Sequence, residues 1–465
     1  MKTILIITLL IASIQGFAQP SLPILKESEV DKRVELVSIV FRLAEKREYS
    51  STLFKLYTDR IESYFDKYKD HELITFTKSV LLKKGVGYDA VMEMAIRLDG
   101  DLNLLEDISN HSLYGRWEKK DADRFIQLLK KFCEDTAFDS FYADNTELYA
   151  EVVKRFAPIY KQIDLNWFSD FYGEKPTDSF LIINGIGNGG CNYGLSLNYA
   201  NGKKEIYAIL GTWRTDNSGM PYYMTNEYLP TLIHEFNHSF VNHLTEKHKK
   251  TIKTGGKKIF KESKDKMSKQ AYNHWKIMTD EAIVRAAVIK YMKGHNFDEN
   301  VINNEINEQK EREFLWIEEF VSELENYDMQ RAIYPTFNDY IPQLAETYKV
   351  YAKKIQSRNK KRPKIVSIQE FSNGDSFVNP DIKTITINFD KTLSGKGYSI
   401  FYGNKGEETF PSIEKISYAN NNRSVIIEVK LQKNKEYQFI MKGTYFTSTD
   451  GIGIDDYEVH FKTGE

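Results

Sequence analysis

The 465-residue sequence predicts an α+β protein: a helix-rich body carrying one small β-sheet, followed by a separate all-β domain. Three observations carry that prediction. Apolar residues recur at the 3.6-residue spacing of amphipathic helices over most of the chain up to residue 355. Between 179 and 210 the spacing gives way to short runs of branched and aromatic residues broken by glycines. Beyond residue 364 the apolar period becomes two, as in half-buried strands.

A hydrophobic fraction of 41% supports more than one core, and 28% charged residues suit a soluble chain. The formal charge of -2 leaves no electrostatic footprint for nucleic acid. Cys133 and Cys191 are too few for a disulfide framework, so one bridge and two buried thiols both stay open. The amino terminus reads as an export signal. Lys2 precedes a short apolar run over 4–14, and Gly16-Phe17-Ala18 resembles a small-residue cleavage site before Gln19. That run is too short for a comfortable membrane span, and no later stretch is apolar enough for one. A signal peptide over 1–18 and an exported mature chain, periplasmic or extracellular, are expected.

From 28 to 171 the pattern is helical. Val30, Val34, Val37, Val40 and Phe41 share a face, as do Leu53, Leu56, Tyr57, Ile61 and Tyr64. Further helices are expected over 121–134 and 147–163, with their dense aromatic residues used for packing. Strands are expected over 179–183, 193–199 and 205–210. The glycine-rich turn 184–190 lacks the G-K-[ST] ending of a phosphate loop. Glycine in a strand can mark the close approach of another backbone, as where an edge strand pairs with an extended ligand; a plain hairpin turn is the other reading. A helix over 226–244 has Pro230 near its first turn. The lysine-rich stretch 247–269, with Gly255 and Gly256, reads as a solvated loop or an exposed helix face.

The helix expected over 271–292 carries His274, Asp280, Glu281 and Arg285, with Ile277, Ile283, Val284, Ala287 and Val288 for packing. Long helices should follow over 300–325 and 339–355, separated by a break at 334–337. The basic, proline-containing stretch 357–364 reads as a linker. Strands over 384–389, 425–429 and 437–441 then mark the tail. The expected domains are therefore 24–356 and 365–465.

The chemistry lies in His234-Glu235-x-x-His238. On a helix, residues four apart are offset by only about 40°, so both imidazoles can face one metal ion. Glu235 lies about 100° further round than His234, where its carboxylate can reach water activated by that ion. Leu229, Leu232, Ile233, Phe236, Phe240, Val241 and Leu244 supply the apolar stripe of a buried helix. A catalytic zinc takes three protein ligands, so a partner is required. Val241 and Leu244 stand where the metzincin pattern needs glycine and histidine, and His243 points off the metal face. A glutamate from a later helix fits better. Glu281 is the best candidate, with Asp280 as its rival and His274 behind both.

At these residues the chain resembles the gluzincin metallopeptidases, in particular an exported bacterial group with H-E-F-N-H and a later D-E-x-x-x-R. The resemblance spans roughly residues 24–355. It implies a zincin-like fold with a small sheet beside the active-site helix, Zn2+ as cofactor, and Glu235 as general base. It also implies a tyrosine or histidine that stabilises the oxyanion; no motif places that residue, and Tyr334 is its candidate. The tail, through residues 363–368, 385–389 and 457–464, is similar to bacterial Ig-like domains of surface-layer type. That implies an Ig-like sandwich acting as a spacer or binding a surface partner. The expected function is an exported zinc peptidase acting on peptides or proteins. The rival is a zincin-like scaffold without peptidase activity that binds glycans or proteins.

Overall fold

The computed structural model describes residues 24–108, 111–174 and 179–465, so the expected signal segment lies outside the described residues. The chain forms two compact units, one of residues up to 256 with Lys264–Thr347, the other of Lys257–Ser263 with Tyr348–Glu465. It is a mixed α+β protein, as its apolar periods predict.

The first unit begins with α1 (Lys32–Leu43), α2 (Lys55–Phe65), α3 (Glu72–Phe76), α4 (Asp89–Ile96) and α5 (His111–Arg116). They are followed by α6 (Lys119–Thr136), α7 (Phe138–Asp144), α8 (Thr146–Tyr160) and α9 (Asn166–Tyr172). Asp31 starts α1 because its carboxylate accepts the otherwise unpaired N–H groups of Arg33 and Val34. In α6, Ala122, Phe125, Leu128, Leu129 and Phe132 bury one stripe. The dense aromatic residues fill the core between helices: Phe65 stacks on Phe132 at 6.0 Å and meets Phe141 edge-on at 4.8 Å.

The sheet of this unit runs β1 (Ile24–Leu25), β2 (Ser179–Asn184), β4 (Lys204–Leu210), β3 (Tyr193–Asn198). β1 and β4 lie parallel to β2, and β3 lies antiparallel to β4 at the sheet's edge. β2 is buried at every residue, which explains its unbroken apolar run. The glycine-rich turn after β2 closes over α1: the Gly187 N–H donates to the buried Glu35 carboxylate, and a Cβ at Gly187 would sit 2.6 Å from Glu35 Oε2.

The remaining helices are α10 (Thr225–Lys247), α11 (Lys249–Lys269), α12 (Trp275–Gly294), α13 (Glu299–Glu311), α14 (Ile317–Met329) and α15 (Phe337–Lys361). Three expectations need correction here, whereas the lysine-rich stretch takes the helical one of its two expected readings, as α11. Gly256 lets it approach α12, since a Cβ there would lie 2.7 Å from the Trp275 ring. The single helix expected over 300–325 is two, because Glu313 turns left-handed (φ 69) and Phe314 and Trp316 drop into the core. Ile277 is 44% exposed and lies outside the buried core. The expected linker 357–364 is helical to Lys361. Arg358, Lys360 and Lys361 suit the carbonyl end of α15, and Pro363 follows it.

In the second unit, β5 (Ile365–Ile368), β6 (Thr384–Phe389), β8 (Ser412–Ala419) and β9 (Ser424–Lys430) form one antiparallel sheet, ordered β5-β6-β9-β8. β7 (Ile400–Tyr402), β10 (Glu436–Met441) and β11 (Tyr457–Lys462) form another, ordered β11-β10-β7. Alternate residues of both sheets, among them Ile385, Ile387, Val425, Ile427, Phe439 and Val459, share one core.

Among the described residues no helix is long and apolar enough to cross a membrane. Cys133 and Cys191 are free thiols, and burial pushes the Cys133 thiol up to about 12.

Glu35 gives a stability test. Burial pushes its carboxyl up from 4.5 to about 8, and among the described residues no cation pairs with it. Its protonated form is the one the fold prefers, so its contribution is intact below pH about 4.5 and is lost as pH rises towards 8. Glu35→Gln should therefore unfold at the same temperature as wild type near pH 4.5. By pH 8 it should be more stable by ~4 kcal/mol, since each pH unit between 4.5 and about 8 is worth about 1.4 kcal/mol and the carboxyl is still half protonated at pH 8. Thermal unfolding of both proteins across this range checks it; a difference that does not grow with pH refutes it.

Candidate metal centre

α10 is fixed on both sides before it offers any ligand. Phe236 and Phe240 pack against Phe168 and Phe180, and Tyr172 stacks on Phe240 at 4.6 Å. Asn237, between the two histidines, is fully buried; it accepts the Tyr172 hydroxyl at 2.6 Å and donates to the Ile233 carbonyl at 2.8 Å. On another face β3 abuts the helix at Gly194, where a Cβ would collide with the Glu235 carbonyl oxygen. The close backbone approach is made by Gly194 in β3, outside the glycine run 184–190 for which it is considered, and its partner is the helix that carries H-E-x-x-H. Pro230 stands in the second turn of α10 rather than the first, and it has no N–H to give to Asn226; both residues line the cleft described below.

α12 lies against α10 and is buried almost all round. His234, His238 and Glu281 converge there, with one ligand atom from each lying within 4.8 Å of the others. The two Nε2 atoms are 3.1 Å apart, His238 Nε2 is 3.4 Å from Glu281 Oε1, and His234 Nε2 is 3.6 Å from Glu281 Oε2. Donors bound tetrahedrally to zinc at about 2.0–2.1 Å lie about 3.3–3.4 Å from one another, so these spacings fit that ion. The His238 Nδ1 faces Asn242 Oδ1 at 3.2 Å, which can only accept, so Nδ1 keeps a proton and it is loss of the second proton that leaves a lone pair on Nε2.

Glu281 has its own support. Its Oε2 accepts from Arg285 at 2.9 Å and from the Tyr272 hydroxyl at 3.2 Å, and Arg285 also donates to the Tyr272 oxygen at 2.8 Å. Tyr272 is the residue that sequence reasoning missed. It stands in the turn before α12, nine positions from Glu281, where no fixed spacing marks it. Tyr334, the expected oxyanion stabiliser, is not brought to this site: it packs edge-on to Tyr340 at 5.1 Å in the turn before α15. Asp280, the rival ligand, turns away and accepts from Thr245 at 2.6 Å and Lys276 at 2.8 Å. His274 caps α12 by accepting the Lys276 N–H, and His243 faces Glu174. None of these three joins the cluster.

Burial, although opposed by the charge of Glu281, holds His234 well below its ordinary value. Burial also works against the His238 cation, but the hydrogen bond and charge of Glu281 outweigh it and push His238 up to about 9. Glu281 is held well below the carboxylate range despite its burial, by Arg285 and the imidazoles. Burial pushes Glu235 up to about 7. The pair of imidazoles thus shares one proton, carried by His238.

His234 and Glu235 open onto a cleft of about 530 Å3. Trp213, Arg214 and Glu227 line it on one side; Arg285, Glu305, Glu308, Gln309 and Arg312 line it on another. The charged groups pair along each side: Arg214 with Glu227 at 2.7 Å and Arg312 with Glu308 at 2.8 Å.

The chain belongs to the family described as "Domain of unknown function (DUF4932)", whose model matches residues 27–347. No curated protein matches it. Among solved structures, the N-terminal part of the bacterial S-layer protein SbsC is 14% identical over 51% of this chain and 58% of that chain, with a TM-score of 0.17. Domains 1–6 of surface layer protein SbsC are 12% identical over 50% of this chain and 33% of that chain, again with a TM-score of 0.17. The matched segments span less than two thirds of those chains, and at such scores the likeness bears on neither fold nor function.

Glu281→Ala should weaken zinc binding at least about 100-fold, whereas Asp280→Ala should leave zinc content near that of wild type. Equilibrium dialysis with metal analysis distinguishes the two, and full zinc in Glu281→Ala refutes the assignment. Because His238 must shed its proton to bind an ion, zinc affinity should rise about tenfold per pH unit between pH 6 and 8. Competition with a chromophoric chelator reads this directly; a flat profile contradicts it.

Proposed function

We propose that this member of the DUF4932 family is an exported zinc-dependent peptidase of gluzincin type. The observation that carries the reading is the convergence of His234, His238 and Glu281 from two helices, with Glu235 beside them in an open cleft. A zinc ion held by those three side chains supplies Lewis acidity toward a carbonyl group and makes water more acidic.

The chain's own residues do the rest. Glu235, with its carboxyl near 7, takes a proton from the attacking water and returns it to the leaving amine. Tyr272 and Arg285 hold Glu281 through Oε2, which fixes the ligand's orientation. β3 is an edge strand whose Gly194 touches the backbone of Glu235, so an extended peptide pairing with that edge is delivered beside the base. The two antiparallel sheets of the second unit, sharing one core, support an Ig-like module that acts as a spacer or binds a surface partner. The amino-terminal pattern supports export.

The test is a peptide-library digest by purified protein. Cleavage should cease on chelation and return with zinc. Glu235→Gln should keep its zinc and lose turnover by about 100- to 10,000-fold. A protein that binds zinc but cleaves nothing is instead the scaffold of the rival reading, and cleavage that survives chelation rejects the metal mechanism.

A further inference from the structure

We propose that Glu305 is the point at which the cleft recognises a cationic group of its substrate, either a lysine or arginine side chain or an amino terminus. This rests on the peptidase reading above and adds a substrate class to it.

The inference comes from pairing the charges around the site. Arg214 is bound to Glu227, Arg285 to Glu281 and Arg312 to Glu308. Glu235 serves the water. That leaves Glu305, which lines the same cleft and forms no ion pair within 4.0 Å among the described residues.

Glu305 is nevertheless held in place. Gln309, only 2% exposed, donates from Nε2 to Glu305 Oε1 at 2.6 Å and accepts at Oε1 from Arg285 at 2.7 Å. A guanidinium can only donate and a carboxylate only accept, so the amide of Gln309 has one orientation. The chain Glu281–Arg285–Gln309–Glu305 therefore runs from the metal ligands to the cleft wall. It anchors Oε1 of Glu305 and leaves Oε2 without a donor from the described residues.

Half-buried and one helical turn from Glu308, this carboxylate is penalised by lost hydration and by a like charge. The two arginines within electrostatic reach, Arg285 and Arg312, are committed to other carboxylates. A substrate cation relieves both penalties. An anionic group finds no uncommitted guanidinium along this wall, so the charge complementarity points one way.

The experiment uses matched fluorogenic peptides with lysine or its neutral isostere norleucine beside the scissile bond, each with a free or an acetylated amino terminus. Wild type should prefer the cationic member about tenfold or more in kcat/KM, and Glu305→Gln should bring the ratio to about one. Dependence on lysine or on the free amine identifies which source supplies the cation. The same preference in Glu305→Gln, or none in wild type, overturns the proposal. Binding is measured in parallel by fluorescence anisotropy of the labelled cationic peptide on Glu235→Gln and on the same protein with Glu305→Gln added. If no peptide is cleaved yet that binding difference holds, the peptidase reading falls and the Glu305 site stands. Equal binding by the two variants overturns the site.

Discussion

A carboxylate taken out of water between two imidazoles and a guanidinium governs how α10 and α12 meet. Burying an ion costs several kcal/mol, and attraction offsets that only where geometry is good and every lone pair is used. Glu281 meets the condition: Oε2 takes Arg285 and Tyr272, and Oε1 faces His238. One turn back, Lys276 and Thr245 satisfy Asp280 in the same interface. The adjacent acids of Asp280-Glu281 thus have different surroundings, one tying the helices together and the other facing the two histidines.

The sequence makes the histidines legible because a helix converts a spacing of four into a shared face, whatever the rest of the fold does. Glu281 is legible at one remove, through its place on an apolar helix. Ile277, expected to help pack that helix, does not: α12 is buried by neighbours on most sides, and Ile277 is on its exposed strip. Tyr272 and Tyr334 show where local reasoning stops. Each stands just before a helix, and only tertiary packing decides that Tyr272 reaches Glu281 while Tyr334, expected as oxyanion stabiliser, packs on Tyr340.

The corrected helix boundaries share a cause. No glycine or proline marks the break at Arg312-Glu313-Phe314; burying Phe314 and Trp316 is worth more than the left-handed turn at Glu313 costs. Conversely, the basic stretch after residue 356 looks like a linker by composition, yet lysine and arginine are good helix formers and belong at a carbonyl end. In the second unit alternation marks β6, β9 and β10, whose alternate residues enter the shared core, whereas the short β7 and the mostly exposed or half-buried β8 are not among the expected strands.

Asn237 lies between the two histidines and contributes nothing to their chemistry, but its bond to Tyr172 works as an angular stop for α10. An imidazole nitrogen rides roughly 5–6 Å from the helix axis, so about 10° of roll carries it about 1 Å. Such an error is as large as the difference between a competent and an incompetent site. The aromatic stack on the core side, Tyr172 against Phe240, resists the same roll. Residues with no view of the cleft therefore set the aim of the ones that line it.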